Sequence, residues 1–263
     1  MQWIKYIGIS LFVLYVIVCV GLYFMQEKIL FNPSKLPETH SFRAGEELEI
    51  PVSDNISLNC LWLKRGNKSK NVILYLHGNR GSNRRCLRQA LSAFGETGYD
   101  IFMPDYRGYG KTEGKIYSEK QMHDDIAKVY SFLKKEYEEK NIVIAGYSMG
   151  SGMATRIAAE NNPAQLFLMA PYYSIVDMKN KYARFIPSFL LKYKLKNNKN
   201  ITKIKCPITI FHGTSDEVIP YDSSVRLQKL DSANIELIKL DGTRHRQTIF
   251  HHEVQRKIME AIR

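Results

Sequence analysis

The chain has 263 residues, 44% apolar and 24% charged, the composition of a folded globular protein rather than a disordered or fibrous one. A formal net charge of +12 raises nucleic acid as a partner. No zinc-finger spacing or RNA-recognition motif accompanies it, so no nucleic-acid partner is expected, and four cysteines without a C-x-x-C pair exclude a redox or cysteine metal motif.

The first element is apolar. From Ile7 to Met25 no residue is charged, and at 1.5 Å per residue this run reaches about 28 Å, close to a hydrocarbon core of about 30 Å. Trp3, Tyr6 and Tyr23 stand near its ends, where amphipathic rings favour the interface. The run is longer than the apolar part of a signal peptide, and Cys19-Val20-Gly21 is a poor cleavage pattern. The expectation is an uncleaved single-pass anchor over 1–27, followed by one folded domain over 28–263. Lys5 stands against Lys28 and Lys35, so positive charge hardly sets the orientation. The outer side is expected for the domain.

Strands and helices then alternate. Glu47–Val52 and Ile56–Leu63 read as an antiparallel pair around a Ser53-Asp54-Asn55 turn. Val72–Leu76 and Asn141–Ala145 are short apolar runs, the mark of strands covered on both faces. Asp100–Met103, Gln165–Met169, Ile208–Phe211 and Ile235–Leu240 are further strands. Helices are expected over Arg84–Glu96, over Ser118–Glu138, from Met149, and as a closing amphipathic helix over Gln247–Ile262. Such alternation implies an α/β fold with a mainly parallel sheet and right-handed crossovers.

The chemistry falls at strand ends. Gly146-Tyr147-Ser148-Met149-Gly150 is a G-x-S-x-G turn between a strand and a helix, which excludes flanking side chains and exposes the serine at its apex. Ser148 is the candidate nucleophile. A serine needs a base, and the base an orienting acid. Asp216 follows strand ITIF, and His245 follows strand IELIKL. They are the candidate acid and base, ahead of Glu217, Asp241, His251 and His252. The backbone N–H groups of Asn79, in the His77-Gly78-Asn79-Arg80 loop, and of Met149 are the candidate oxyanion donors, with Arg80 left open beside Asn79. His77 reads as structural. Gly110-Lys111-Thr112 lacks the first glycine of a phosphate loop, and His252-Glu253 lacks the second histidine of a zinc helix, so neither a cofactor nor a metal is expected.

The strings LHGNRGS, DYRGYGKTEG (Asp105 to Gly114), AGYSMGSG and HGTSDEVIP together resemble the α/β-hydrolase superfamily, most closely its membrane-anchored abhydrolase-domain branch, from about Phe31 onward. The resemblance implies an α/β-hydrolase fold and a serine esterase, lipase or thioesterase acting on acyl substrates. Two residues depart from the pattern. Arg244 stands where a glycine usually precedes the histidine, and Arg80 where the loop is usually small. Between strands QLFLM and ITIF, residues 171–205 form the insertion where such folds carry a lid. The stretch from Lys179 to Lys205 is basic without an acid, and an apolar patch around Phe185–Leu191 lies within it. A lid lining an acyl pocket and facing anionic lipid is one reading, and an ordinary crossover helix is the other. The alternatives in function are a non-catalytic binding protein of the same fold and a serine peptidase, the latter expected to carry a propeller or large cap. The sequence leaves the oligomeric state open.

Overall fold

The computed structural model describes residues 2–66 and 69–262. Helix α1 (Gln2–Leu30) is long and apolar enough to cross a membrane, with a mean hydropathy of 2.5 over its most apolar window, 6% of which is buried. It runs past residue 27, where the sequence sets the end of the anchor. Nothing from Gln26 to Ile29 breaks a helix, and Lys28 in the last turn suits the negative end of the dipole. Asn32, restricted by the proline after it, turns the chain extended.

Eight strands form one sheet: β1 (Glu46–Ser53), β2 (Ile56–Leu63), β3 (Val72–Leu76), β4 (Asp100–Pro104), β5 (Ile142–Tyr147), β6 (Gln165–Met169), β7 (Ile208–Gly213) and β8 (Ile235–Leu240). Their order is β8-β7-β6-β5-β3-β4-β2-β1, with β1 and β2 antiparallel to their neighbours and the rest parallel. Residues of β3, β5 and β6 are buried on both faces, because helices cover each side. Val72, Leu74 and Leu76 point into a core shared with α3 (Glu119–Glu136) and α4 (Gly150–Glu160). Ile73 and Tyr75 point the other way, towards α2 (Asn83–Phe94) and the last helix. Truncating any of these side chains to alanine costs about 2–5 kcal/mol, because the close-packed layers relax only in part.

The closing helix differs from expectation. His245–Phe250 forms 3₁₀ turns, and the α-helix runs only over His252–Ala261. The break follows from local hydrogen bonding. Gln247 Oε1 accepts from Arg244 N–H (3.0 Å), tightening the first turn, and His251 Nδ1 accepts from Glu253 N–H (3.2 Å), capping a new start. His251 therefore precedes the helix instead of lying in it.

Residues 171–205, the cap segment, form one short helix followed by several single turns. Helix α5 (Ile175–Tyr182), started by Ser174 Oγ accepting from Asp177 N–H (3.0 Å), has no fully buried residue, whereas Tyr193, Ile201 and Ile204 further along the segment are buried in the core. The cap segment leans on α1. Gln26, a buried polar residue of α1, donates to Leu190 O (2.9 Å) and accepts from Lys192 N–H (2.8 Å). Lys192 Nζ and the Tyr193 hydroxyl donate to Glu27 Oε1 at 3.1 and 3.0 Å, and the Tyr15 hydroxyl donates to Phe185 O at 2.9 Å.

Candidate active site

The parallel register brings the C-terminal ends of β3, β5, β7 and β8 to one edge of the sheet. Ser148 follows β5 at a φ of 51°, a left-handed conformation that costs a non-glycine residue about 1–3 kcal/mol and is imposed by the turn. Two glycines allow it. A Cβ on Gly150 would lie 2.0 Å from Leu76 O, and one on Gly146 would meet Ala154 Cβ at 2.6 Å. Ser148 N–H donates to Met169 O (2.9 Å), tying the turn to β6.

Three of the sequence-predicted residues meet here. Ser148 Oγ lies 3.0 Å from His245 Nε2, and His245 Nδ1 lies 2.7 Å from Asp216 Oδ2. Nδ1–H facing the carboxylate fixes the tautomer, leaving Nε2 to accept the serine proton. Burial would by itself raise the pKa of Asp216. Hydrogen bonds from His212 and His245 and the N–H of Ile219 outweigh it, and the carboxyl is held far below the ordinary range. Asp216 Oδ1 accepts from the N–H groups of Val218 and Ile219 at 2.8 and 2.7 Å.

The oxyanion candidates flank the serine. Asn79 and Met149 both line the cavity that contains Ser148 and His245, and neither backbone N–H donates to an acceptor among the described residues. The Asn79 loop is tied to the junction after α1. Asn32 N–H donates to Asn79 O (2.9 Å), Asn79 Nδ2 donates to Leu30 O (3.1 Å), and Ser34 N–H donates to Gly81 O (2.8 Å).

The remaining candidates lie elsewhere. Asp241 is exposed and pairs with Lys239 at 2.8 Å. Glu217 takes no part in the line but accepts from His245 N–H (3.2 Å), holding the histidine loop. His77 is wholly buried, tilted on Tyr106 with its Nε2 3.4 Å from Asp105 Oδ1. Arg244 sits at a φ of −85°, so the departure from glycine there strains nothing.

Sequence reasoning missed two groups. His212 is fully buried, with Nε2 3.2 Å from Asp216 Oδ2 and 3.0 Å from Ile219 O, while Nδ1 lies 2.6 Å from Ser224 Oγ. Nε2 faces two acceptors and so carries the hydrogen. Tyr147 donates to His245 O (3.1 Å) and stacks on its ring at 5.5 Å. Their signal was present as a histidine at a strand end and an aromatic beside the serine.

A cavity of about 560 Å³ opens over Ser148 and is predominantly apolar. Cys19, Leu22, Tyr23 and Ile29 of α1 form one wall, and Ile175, Met178, Ile186 and Leu191 of the cap form the other. A second cavity, about 360 Å³, meets it at Asn79, Arg80, Ser148, His245 and Arg246. Among the described residues no cluster of three or more His, Cys, Asp or Glu is arranged to hold a metal.

Several known proteins are similar to this chain. The chain is 28% identical to the lysophosphatidylserine lipase ABHD12 of Danio rerio over 79% of its own length, and 30% identical to that of Xenopus tropicalis over 60%. It spans 61% and 46% of those two proteins. It is 25% identical to the human alpha/beta hydrolase domain-containing protein 17B, covering 77% of this chain and 70% of that one. An esterase of Pyrococcus furiosus superposes with a TM-score of 0.71 at 20% identity, over 89% of this chain and 97% of the esterase, which shows a shared α/β-hydrolase fold. The profile described as serine aminopeptidase, S33, matches residues 67–201, just over half of the sequence. The chain belongs to that family, within the α/β-hydrolase superfamily of serine hydrolases.

Proposed function

We propose that the protein hydrolyses the carboxylic ester or thioester of a single-chain acyl substrate, drawn from the membrane in which α1 is a single-pass anchor, with 28–263 as the hydrolase domain and 171–205 as its lid. The observation that carries this reading is the hydrogen-bonded line Ser148–His245–Asp216 at the floor of an apolar cavity walled by the anchor itself. In the first half-reaction Ser148 Oγ attacks the acyl carbonyl and passes its proton to His245 Nε2, while Asp216 stabilises the imidazolium. The N–H groups of Met149 and Asn79 receive the charge that develops on the carbonyl oxygen. His245 returns the proton to the departing alcohol or thiol. Water then attacks the acyl-serine by the same route and releases the acid.

Two observations favour an ester over a peptide, despite the family's name. An aminopeptidase needs a carboxylate to receive the substrate's free ammonium group, and no Asp or Glu lines either cavity. The apolar wall suits an acyl chain, within the usual size range of a ligand pocket, and the ABHD12 relatives are named as lipases. A purely binding role needs no proton relay, whereas this one is complete from serine to acid.

Ser148→Ala tests the assignment. The variant is expected to lose labelling by a fluorophosphonate and turnover of a p-nitrophenyl ester by on the order of 10⁶ in kcat, with an unchanged melting profile. Near-parental turnover in Ser148→Ala removes the nucleophile and the reading with it.

A further inference from the structure

We infer that the second cavity beside Ser148 is a phosphate pocket that receives a phosphomonoester carried on the leaving alcohol. The inference rests on the ester-hydrolase reading and names its substrate class: monoacyl esters of glycerol phosphate type, with the acyl chain in the apolar cavity and the phosphate among arginines.

Arg80, Arg85, Arg88 and Arg246 all line this pocket of about 360 Å³, together with Ser148 and His245. None of the four is within ion-pairing distance of a carboxylate among the described residues. Unpaired cations are common on this surface, but these four are gathered around one cavity that also contains Ser148. The local sequence concentrates the charge further. Helix α2 opens on Arg84 and Arg85 with no acid in its first turn, so guanidinium groups sit where the dipole already favours an anion. That arrangement weakens the free protein and is relieved by a bound anion.

Two of the four exposed arginines, Arg85 and Arg88, are also braced. A Cβ on Gly81, at a φ of 95°, would lie 2.9 Å from Arg85 Cδ, so the glycine lets the Arg85 stem lie against the oxyanion loop. The guanidinium of Arg88 stands over the Phe250 ring, 5.3 Å from its centroid. Planar forks fixed in this way suit the oxygens of a phosphate better than mobile lysines would. Among the described residues no Asp or Glu lines the pocket, so the ammonium of a choline headgroup finds no ionic partner there. The pocket therefore favours a bare phosphomonoester over a zwitterionic headgroup.

The test uses the full chain in nonionic detergent. Three substrates with one acyl chain, 1-acylglycerol 3-phosphate, 1-acylglycerol and 1-acylglycero-3-phosphocholine, are compared by kcat/KM. The phosphomonoester is expected to lead by about tenfold or more, and the Arg85→Gln/Arg88→Gln pair to bring the ratio near one. Arg85→Lys/Arg88→Lys, which keeps the charge, is expected to retain part of the preference. Binding of sn-glycerol 3-phosphate to Ser148→Ala protein, followed calorimetrically and lost in the glutamine pair, reads the pocket without any turnover. Absence of turnover of all three substrates by the parental protein, with glycerol phosphate still bound by Ser148→Ala, thus indicts the hydrolase reading, not the pocket. Equal kcat/KM across the three substrates, or equal binding of inorganic phosphate and glycerol phosphate, overturns the substrate assignment. Arginine-dependent stimulation of 1-acylglycerol turnover by phosphatidylglycerol in the micelle, up to the rate with the phosphomonoester, moves the pocket's ligand to the surrounding lipid and overturns it too.

Discussion

The strand ends and the roof above them are built on different principles. Ser148, His245 and Asp216 extend from strands at one edge of the sheet, and Asp216 alone has four partners. The roof, made of α1 and the 171–205 cap, has half-exposed side chains, with Phe185 61% and Phe189 78% exposed, and rests on a few hydrogen bonds centred on Gln26. Rigid sheet ends suit groups that must be aligned within fractions of an ångström, and a loosely tied roof suits a surface that sorts substrates by length. Changes at the strand ends are therefore expected to appear in kcat, and changes in the roof in KM.

The sharpest division is between two acids. Asp216→Asn is expected to lower kcat by about 10⁴, because an amide favours the wrong histidine tautomer and stabilises no imidazolium. Asp241→Asn, which touches only the exposed Lys239, is expected to change kcat little. Steady-state turnover of one short ester by both variants decides it, and the reverse ranking would move the acid to Asp241.

Leu22→Trp tests the roof. The indole fills part of the wall that α1 lends to the apolar cavity. Each methylene excluded is worth about 0.8 kcal/mol, so kcat/KM on ten- to twelve-carbon esters is expected to fall by about tenfold while two-carbon esters are unaffected. A chain starting near Gln26 is expected to behave likewise, cleaving short esters without length preference. Flat dependence on chain length in the parental enzyme would erase the distinction between roof and floor.

The smallest effect is expected at the latch. Gln26→Leu strands Leu190 O and the Lys192 N–H, and a buried unpaired polar group costs about 1–3 kcal/mol. Because the cap can turn those groups to water, the outcome is a few-fold rise in KM for long esters and faster proteolysis within 183–196, read by limited digestion. Unchanged digestion would mean that the cap stands without the anchor.

How much of the molecule was legible in the sequence divides along the same line. The sheet was readable because strands buried on both faces must be continuous apolar runs, and a G-x-S-x-G turn needs its glycines whatever surrounds it. Ser148, Asp216 and His245 were nameable because each stands just past a strand. The two parts of the roof were readable as an apolar run and an insertion, but the contacts that join them were not. Gln26 looks like the polar end of an apolar run, and only the folded cap shows Leu190 and Lys192 opposite it. Asn32 and Pro33 pair with Arg80 and Gly81 over two residues, too short for any periodicity. His212 and His77 look alike in sequence, each a histidine before glycine at a strand end. One lies beside Asp216 and the other beside Asp105, a difference set by which loop returns past each strand.

The two cavities meet at Ser148 and diverge from it, one along helix α1 and the other out between arginines. For the proposed membrane-held ester hydrolase, this divergence would give each product its own exit. A freed acyl acid leaves along a path lined by helix α1, into a phase where it is soluble. The polar alcohol leaves from the opposite mouth, into water. Neither product has to pass the other, and the two end in phases between which they do not readily recombine. Separation after each turnover is thereby built into the shape of the site, and incoming substrate and departing headgroup do not compete for one doorway.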